Sequence, residues 1–381
     1  MSGPIAPRAG ARPAPEGGLY IGLMSGTSLD GVDAALARFD PAPALLGLVS
    51  RAMPQALRAE LLALQASGPD ELHRAALAAN ALADLYADAV SDLLRDAGVD
   101  RSRIAAIGAH GQTVRHRPEL GFTLQLNNPA RLAERAGIAV VADLRSRDVA
   151  AGGQGAPLVC AFHRQAFAHP VERRAVVNIG GIANATLIEP GGRSVIGWDC
   201  GPGNVLMDGW CERHLGTRFD ADGRWARSGQ IAPGLLARLL AEPYFGLPAP
   251  KSTGRDLFGL SWLDARMRST PGSQAWRPAD VQATLLELTA TTIARACAPA
   301  RPDRVLLCGG GAANRALHDR IAEQLAPVPV GRTTDSGVPT QAVEAMAFAW
   351  LAQAHLQRWP GNLPQVTGAE DGRVLGALYP A

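Results

Sequence analysis

The stretch "GWDCGPGN" places Asp199 at the end of an apolar strand, directly before a Gly-Pro-Gly turn that opens a helix. A carboxylate at the C-terminal edge of a strand, beside a cleft, is well placed to act as a general base. An Asp capping the following helix through its side chain would occupy the same position, and both readings stand at this point. Asp143 in "VVADLRSRD" ends a second strand in the same way, with Arg145, Arg147 and Asp148 close behind. Such a group can bind a sugar's hydroxyls or a carboxylate, or form a surface cluster of salt bridges. "GAHGQTVRH" sets His110 and Gln112 on the same side of an extended segment, two residues apart. The pair can hydrogen-bond one small polar substrate, and His110 alone can equally be a core residue. Glu344 stands in an apolar late segment beside Met346 and Phe348, where a carboxylate points either into a cleft or to a helix's wet face.

Three glycine turns offer backbone N–H groups to an anion. "GLMSGTSLDGVD" has Gly26 and Gly31 at the spacing of a Walker A loop, but Val32 and Asp33 stand where Lys and Ser/Thr belong. It is therefore no P-loop. As a hairpin turn it can still cradle phosphates through its amides and the Ser25, Thr27 and Ser28 hydroxyls, with Asp30 or Asp33 holding magnesium through water. "CGGGAAN" at 308–314 fails the dinucleotide fingerprint, because Asn314 replaces the third glycine and no acid follows about 20 residues on. Its three glycines between strand and helix let a flat ligand approach, or serve close helix–strand packing. "NIGGIAN" at 178–184 turns between two strands at Gly180 and Gly181. Two such turns facing across a cleft, with a third at a helix start, can grip a nucleoside triphosphate from three sides.

The elements that must hold these groups alternate in type. Strand, turn and strand over 19–40 precede one or two Ala/Leu-rich helices over 54–97, then two short strands separated by the helix "NPARLAERAG", with Asn127 or Asn128 as its cap and Gly137 at its end. The middle repeats the opening: a glycine-turn hairpin, a strand ending in Asp199, a helix, the strand–glycine–helix unit at 304–325 and a late helix in "TQAVEAMAFAWLAQAHLQ". Two halves that each open with a hairpin and then alternate strands and helices predict an α/β protein.

Composition bounds the function. The 381 residues suffice for two domains, and Lys+Arg 37 against Asp+Glu 35 leaves a net charge of +2, without the basic field that nucleic-acid or membrane-surface binding needs. Five cysteines without a C-x-x-C pair argue against a disulfide framework or zinc site and for a reducing compartment. Residues 1–18 are rich in Pro, Ala and Gly, lack a signal-peptide core, and are expected to be a disordered tail. No run of about 18 apolar residues suggests a membrane span. A cytoplasmic protein is expected.

"GLMSGTSLDGVD", "IGAHGQT", "VVADLRSRDVAAGGQGAPLV", "NIGGIAN", "DCGPGNVLMD", "PKSTGRD", "LLCGGGAAN" and "EAMAFAWLA", in this order, resemble the motifs of the anhydro-N-acetylmuramic acid kinase family. The resemblance runs from about Leu19 to the final "LGALYPA". It implies the two-lobed α/β fold shared by sugar kinases and actin, with an ATP cleft between a first lobe of 19–143, rejoined by about 361–381, and a second lobe of 144–360. It implies that 1,6-anhydro-N-acetylmuramate is opened by water while its O6 takes the γ-phosphoryl group of ATP, with magnesium, giving N-acetylmuramate 6-phosphate. Matched by motif, Asp199 is the base. Gly26, Thr27, Ser28, Leu29, Asp30, Gly31, Val32 and Asp33 form the nucleotide loop. Gly180, Gly181, Gly309, Gly310, Gly311 and Asn314 surround the phosphates and nucleoside, and Asp30 or Asp33 orders the metal's shell. His110, Gln112, Asp143, Arg145, Gln154 and Glu344 are candidate substrate contacts. The expected partner is that small molecule, without nucleic acid or membrane, and apolar surface on the late helix suggests a homodimer. An ordinary sugar kinase, a sugar sensor and an actin-like nucleotide switch are the competing readings.

Overall fold

One strand order occurs twice. The computed structural model describes residues 18–26, 29–254, 257–272 and 276–381. In it β1 (Leu19–Met24), β2 (Gly31–Arg38) and β3 (Ala44–Ala52) form an antiparallel meander, and β4 (Ile104–Ala109) lies parallel to β1 on its other side. A separate two-stranded ribbon, β5 (Gln112–Arg117) with β6 (Phe122–Leu126), leads to β7 (Val140–Ala142), which pairs parallel to β4. In the second half β8 (Arg174–Ile179), β9 (Ile182–Ile188) and β10 (Val195–Pro202) repeat the meander. Beside β8, β11 (Arg304–Cys308) and then β12 (Val330–Arg332) repeat the parallel pair. The chain closes with β13 (Ala377–Tyr379) antiparallel to β7, so the C-terminus returns to the first sheet. This duplicated α/β arrangement is the two-lobed fold of sugar kinases and actin.

Local chemistry accounts for most elements. β1 is "LYIGLM", buried at all six positions, as befits a central strand covered on both faces. Helices α1 (Gln55–Ala63) and α2 (Glu71–Ala97) occupy the Ala/Leu-rich stretch, and α2 ends at Gly98 in the left-handed conformation. Helix α3 (Pro129–Ala136) has Asn128 accepting from the Arg131 N–H, Pro129 in its first turn and left-handed Gly137 after its end, as the sequence predicts. β3 is absent from the sequence reading. It is an edge strand, half-exposed along both faces, so its residues carry no clean alternation.

Short α4 (Ser146–Ala150) and then α5 (Val159–Phe167) follow β7, and α6 (Val205–Leu215) follows β10. Next come α7 (Arg224–Arg227), α8 (Pro233–Leu240) and α9 (Leu260–Arg268), and then long α10 (Pro278–Cys297) and α11 (Arg315–Leu325). The last two helices are α12 (Val343–Leu356) and α13 (Pro364–Thr367). Three apolar cores result. One joins α2 and α3 to the outer face of the first sheet, and another joins α6, α8, α10 and α11 to the second sheet. Between the sheets lies the third core, built on α5 and α12, with Tyr20, Phe39, Phe162 and Phe167 among its rings.

Helix α12, placed with the second half by the sequence reading, packs on β1, β2 and β4 of the first sheet. The contact is made by backbone against backbone: a Cβ on Gly22 would lie 1.7 Å from the Ala345 carbonyl oxygen, and one on Gly108 2.0 Å from that of Phe348. Helix α12 is therefore buried inside this chain, from Val343 through Trp350 and beyond, and offers a second copy no apolar surface. That argument for a homodimer falls. The N-terminal tail up to residue 17 and the loop residues Thr27 and Ser28 lie outside the described residues.

Candidate active site

β10 does not stop at its acid. It runs through Asp199 to Pro202, with the β9 register shifting between Asp199 and Gly201, an irregularity that re-aims the side chain there. The helix-cap reading fails, since α6 begins at Val205 after Asn204 and has no side-chain cap. Asp199 instead accepts the Thr253 N–H at 2.9 Å on Oδ2, while its own N–H donates to the Lys251 carbonyl at 3.3 Å. The Tyr244 hydroxyl donates to its backbone carbonyl at 2.8 Å. Burial pushes the Asp199 carboxyl up to about 7, against the Thr253 N–H and the positive charges of Arg145 and Lys251, which favour ionisation. Lys251 is held by the Tyr244 and Phe245 carbonyls at 3.0 and 3.4 Å, and its ammonium lies 4.7 Å from the Tyr244 ring centre. Across β9, Asn184 is the register partner of Asp199, and its Oδ1 is buried without a hydrogen-bond partner.

Arg145 stands between β7 and α4, as the residue before that short helix. Its Nη1 donates to the Gly155 carbonyl at 2.8 Å, and its Nε and Nη2 lie 3.2 and 3.0 Å from His110 Nε2. Because a guanidinium only donates, Nε2 is the unprotonated ring nitrogen and Nδ1–H donates to the Ser25 carbonyl at 3.1 Å. Burial, reinforced by the Arg145 charge, pushes His110 down to about 3, so it is neutral at working pH and orients Arg145. His110 and Gln112 do not share one strand: Gly111, at φ 77°, separates β4 from β5. Both nevertheless grip Ser25, whose hydroxyl donates to Gln112 Oε1 at 2.5 Å.

The other sequence candidates separate. Asp143 is exposed, sits at φ 54° and accepts from the Ser146 hydroxyl at 2.5 Å. Arg147 is exposed, whereas Asp148 is fully buried, so the run after Asp143 is not a surface salt-bridge cluster. Gln154 accepts from the Ser252 hydroxyl at 3.3 Å. Glu344, in the first turn of α12, is pushed up by burial, held down by a hydrogen bond with Asn178 and the Arg145 charge, and raised by Asp33. It therefore lies among groups of both halves and not on a wet helix face.

In the first glycine loop the Leu29 N–H donates to the Gly26 carbonyl at 3.2 Å, and Leu29 and Val32 are buried. Their side chains serve the core, which leaves only their backbone for a ligand. Asp30 is exposed, while Asp33 on β2 accepts from the Ser50 hydroxyl at 2.5 Å, and its burial pushes its carboxyl up. Among the described residues no cluster of three or more His, Cys, Asp or Glu could hold a metal by itself. The Gly180–Gly181 turn is tied to the start of α6 by the Gly203, Asn204 and Val205 amides, and a Cβ on Gly180 would lie 3.5 Å from the Ile182 carbonyl oxygen, an ordinary contact. At the triple glycine, a Cβ on Gly309 would lie 2.4 Å from Asn178 Oδ1 and one on Gly311 2.3 Å from Ile179 Cγ2, so packing claims both. Gly310 is exposed and open. Asn314 caps α11, accepting from the Leu317 N–H at 3.1 Å.

Sequence reasoning missed Tyr244, Lys251, Thr253, Asn178 and Asn184. The last two are the first and last residues of "NIGGIAN", and Lys251 and Thr253 sit in "PKSTGRD", so the motifs were visible while the roles were not.

Comparisons with known proteins place the chain in one family. A family model described as anhydro-N-acetylmuramic acid kinase matches residues 18–381. A relative of that name from Bordetella avium (strain 197N) is 59% identical over 366 residues, covering 96% of this chain and 97% of its own. One from Variovorax paradoxus (strain S110) is 56% identical over 376 residues, covering 96% of this chain and 100% of its own. A solved ROK family glucokinase from Streptomyces griseus, in complex with glucose and AMPPNP, aligns at TM-score 0.39 and 15% identity over 87% of this chain and 99% of its own. At that score the likeness carries no argument, and the fold rests on the duplicated strand order.

Proposed function

The chain belongs to the anhydro-N-acetylmuramic acid kinase family and is an ATP-dependent kinase of cell-wall recycling, and from that premise we propose how its own residues perform the reaction. The substrate is 1,6-anhydro-N-acetylmuramate. Asp199 removes a proton from water as the water oxygen bonds to C1 and the C1–O6 bond breaks. The departing O6 takes the γ-phosphoryl group, releasing ADP and N-acetylmuramate 6-phosphate. Phosphoryl capture of O6 makes a separate acid unnecessary, and a carboxylate beside C1 stabilises the oxocarbenium character that develops there.

The observation that carries this reading is the state of Asp199: buried, held by one backbone amide, and poised near 7 between two cations. A base is most effective when its pKa lies near the operating pH. Arg145, fixed through His110 and Gly155, and Glu344 orient the sugar, with Gln112, Asp143 and Gln154 at its periphery. Both His110 nitrogens are engaged, so that ring acts through Arg145. The amides of the 26–33 loop, the Gly180–Gly181 turn and Gly310 take the phosphates.

Magnesium fits the donors present, since a nucleotide-bound Mg²⁺ takes one or two carboxylates and fills its shell with phosphates and water. Asp33, desolvated and in electrostatic reach of Glu344, would hold it through water, with Asp30 beside it on the loop. When bound it would neutralise charge on the transferring phosphates. Five buried free cysteines support a reducing, cytoplasmic setting, and no described helix is long and apolar enough to cross a membrane.

The test is a reaction of the purified protein with MgATP and 1,6-anhydro-N-acetylmuramate in heavy-oxygen water, read by mass spectrometry. Gain of phosphate plus one solvent oxygen at C1 is expected. Gain of phosphate alone would mean an ordinary sugar kinase, and gain of neither would overturn the reading.

A further inference from the structure

We propose that Asp148 is a positioning residue: by clamping the 151–155 loop onto the C-terminal segment 362–373, it fixes the Gly155 carbonyl that aims Arg145 at Asp199. The inference rests on Asp199 being the base.

Asp148 is fully buried, and no described Lys or Arg forms an ion pair with it. The Arg145 charge reaches it without forming an ion pair, and a buried carboxylate with no directly paired cation is costly unless hydrogen bonds satisfy it. Three do. Gly155 N–H donates to Oδ2 at 2.7 Å, and Asn362 Nδ2 and the Thr367 hydroxyl donate to Oδ1 at 2.6 and 2.7 Å. Asn362 is itself set by the Arg373 N–H, which donates to its Oδ1 at 2.6 Å. The backbone adds two stitches between the same segments, Gln154 N–H to the Thr367 carbonyl at 2.7 Å and Glu370 N–H to the Ala151 carbonyl at 2.8 Å. There is no slack in the loop, since a Cβ on Gly153 would lie 2.2 Å from Asp148 Oδ2.

The other side of Gly155 faces the chemistry. Its N–H is held by Asp148 while its carbonyl takes Arg145 Nη1 at 2.8 Å. One peptide plane on either side of Gly155 thus links the clamp to the guanidinium. Moving the loop moves Arg145, one of two cations near Asp199. Lys251 is the other and is held independently by the Tyr244 and Phe245 carbonyls. Among the described residues, the remaining titratable groups in reach of Asp199 are Tyr244, Cys160 and Cys200, all pushed further from ionisation by burial.

The experiment uses the full chain with Thr367→Val, Thr367→Ser and Asp148→Asn, measuring melting temperature, kcat and KM for each substrate, and the pH dependence of kcat/KM for the sugar. Thr367→Val removes one donor without touching the active site. It is expected to lower kcat/KM for the sugar about tenfold, the scale of one hydrogen bond to a charged group, with KM for ATP unchanged. The acidic limb of the pH profile should move to higher pH, because a displaced Arg145 no longer favours the ionised base. Thr367→Ser should restore both. Asp148→Asn, which presents an N–H to at least one of the three donors, should have the larger effect. An unmoved acidic limb in folded Thr367→Val, or a loss of activity that only tracks the folded fraction, would overturn the proposal. Full turnover by Asp199→Asn would instead sink the base assignment, so the two failures are distinct.

Discussion

The two meanders share one pairing pattern, and they differ where it matters. Met24, Asp33 and Ser50 sit across from one another on β1, β2 and β3; Asn178, Asn184 and Asp199 take the equivalent places on β8, β9 and β10. In the first sheet the acid is on the middle strand, with a hydroxyl from the third strand as its donor. In the second the acid has moved to the third strand and takes a backbone amide from a distant segment. Both carboxyls are raised by burial, the second to about 7. In our proposal one scaffold thus supports a base in one lobe and a metal-shell carboxylate in the other. The difference lies in how far each is desolvated and in what donates to it.

The largest expected effect tests the second lobe. Asp199→Asn should lower turnover about a thousandfold, within the range for losing a general base, and leave nucleotide affinity intact in a direct binding measurement. Comparable loss from Ser50→Ala would break the contrast between the lobes. Second in size is Gly22→Ala, which drives a methyl into the Ala345 carbonyl. Such overpacking should cost about 3 kcal/mol in denaturant unfolding. A mild effect would mean that α12 is not seated on the first sheet as described.

Asp199 should also reveal itself in stability. Its carboxyl titrates at about 7 when folded, against an ordinary value of 3.8, so the folded state holds the proton more tightly. That contribution is complete below the ordinary value and is lost as pH rises through about 7. Asp199→Asn should therefore stabilise the protein by on the order of 2 kcal/mol near pH 8 and leave its melting temperature unchanged near pH 4. Equal melting temperatures at both pH values would show the carboxylate to be well solvated. Smallest is Ser50→Ala, which removes one donor from Asp33 and should change kcat by about threefold or less, the scale of one modest hydrogen bond, while altering the magnesium concentration needed for half-maximal rate. An unaltered magnesium requirement would remove Asp33 from the metal's shell.

The sequence by itself determined what depends on neighbours in the chain. The glycine-turn hairpins, the Asn128 cap and Gly137 stop of α3, the strand–glycine–helix unit at 304–325 and the alternation that marks an α/β protein all follow from local backbone preferences. The motifs also pointed to Asp199, Arg145 and Glu344. Only the tertiary structure decided what those residues are. Thr253, which holds Asp199, lies 54 residues away, and Asn362 and Thr367, which hold Asp148, lie 214 and 219 residues away. Helix α12 was legible as a helix, but its seat on the first sheet was not, because that depends on Gly22 and Gly108 meeting its backbone. Protonation states were equally illegible: His110 is pushed down and Asp199 pushed up because segments remote in sequence strip both of water. Desolvation and hydrogen-bond supply are properties of a place in space, and a linear pattern encodes them only through the fold it produces.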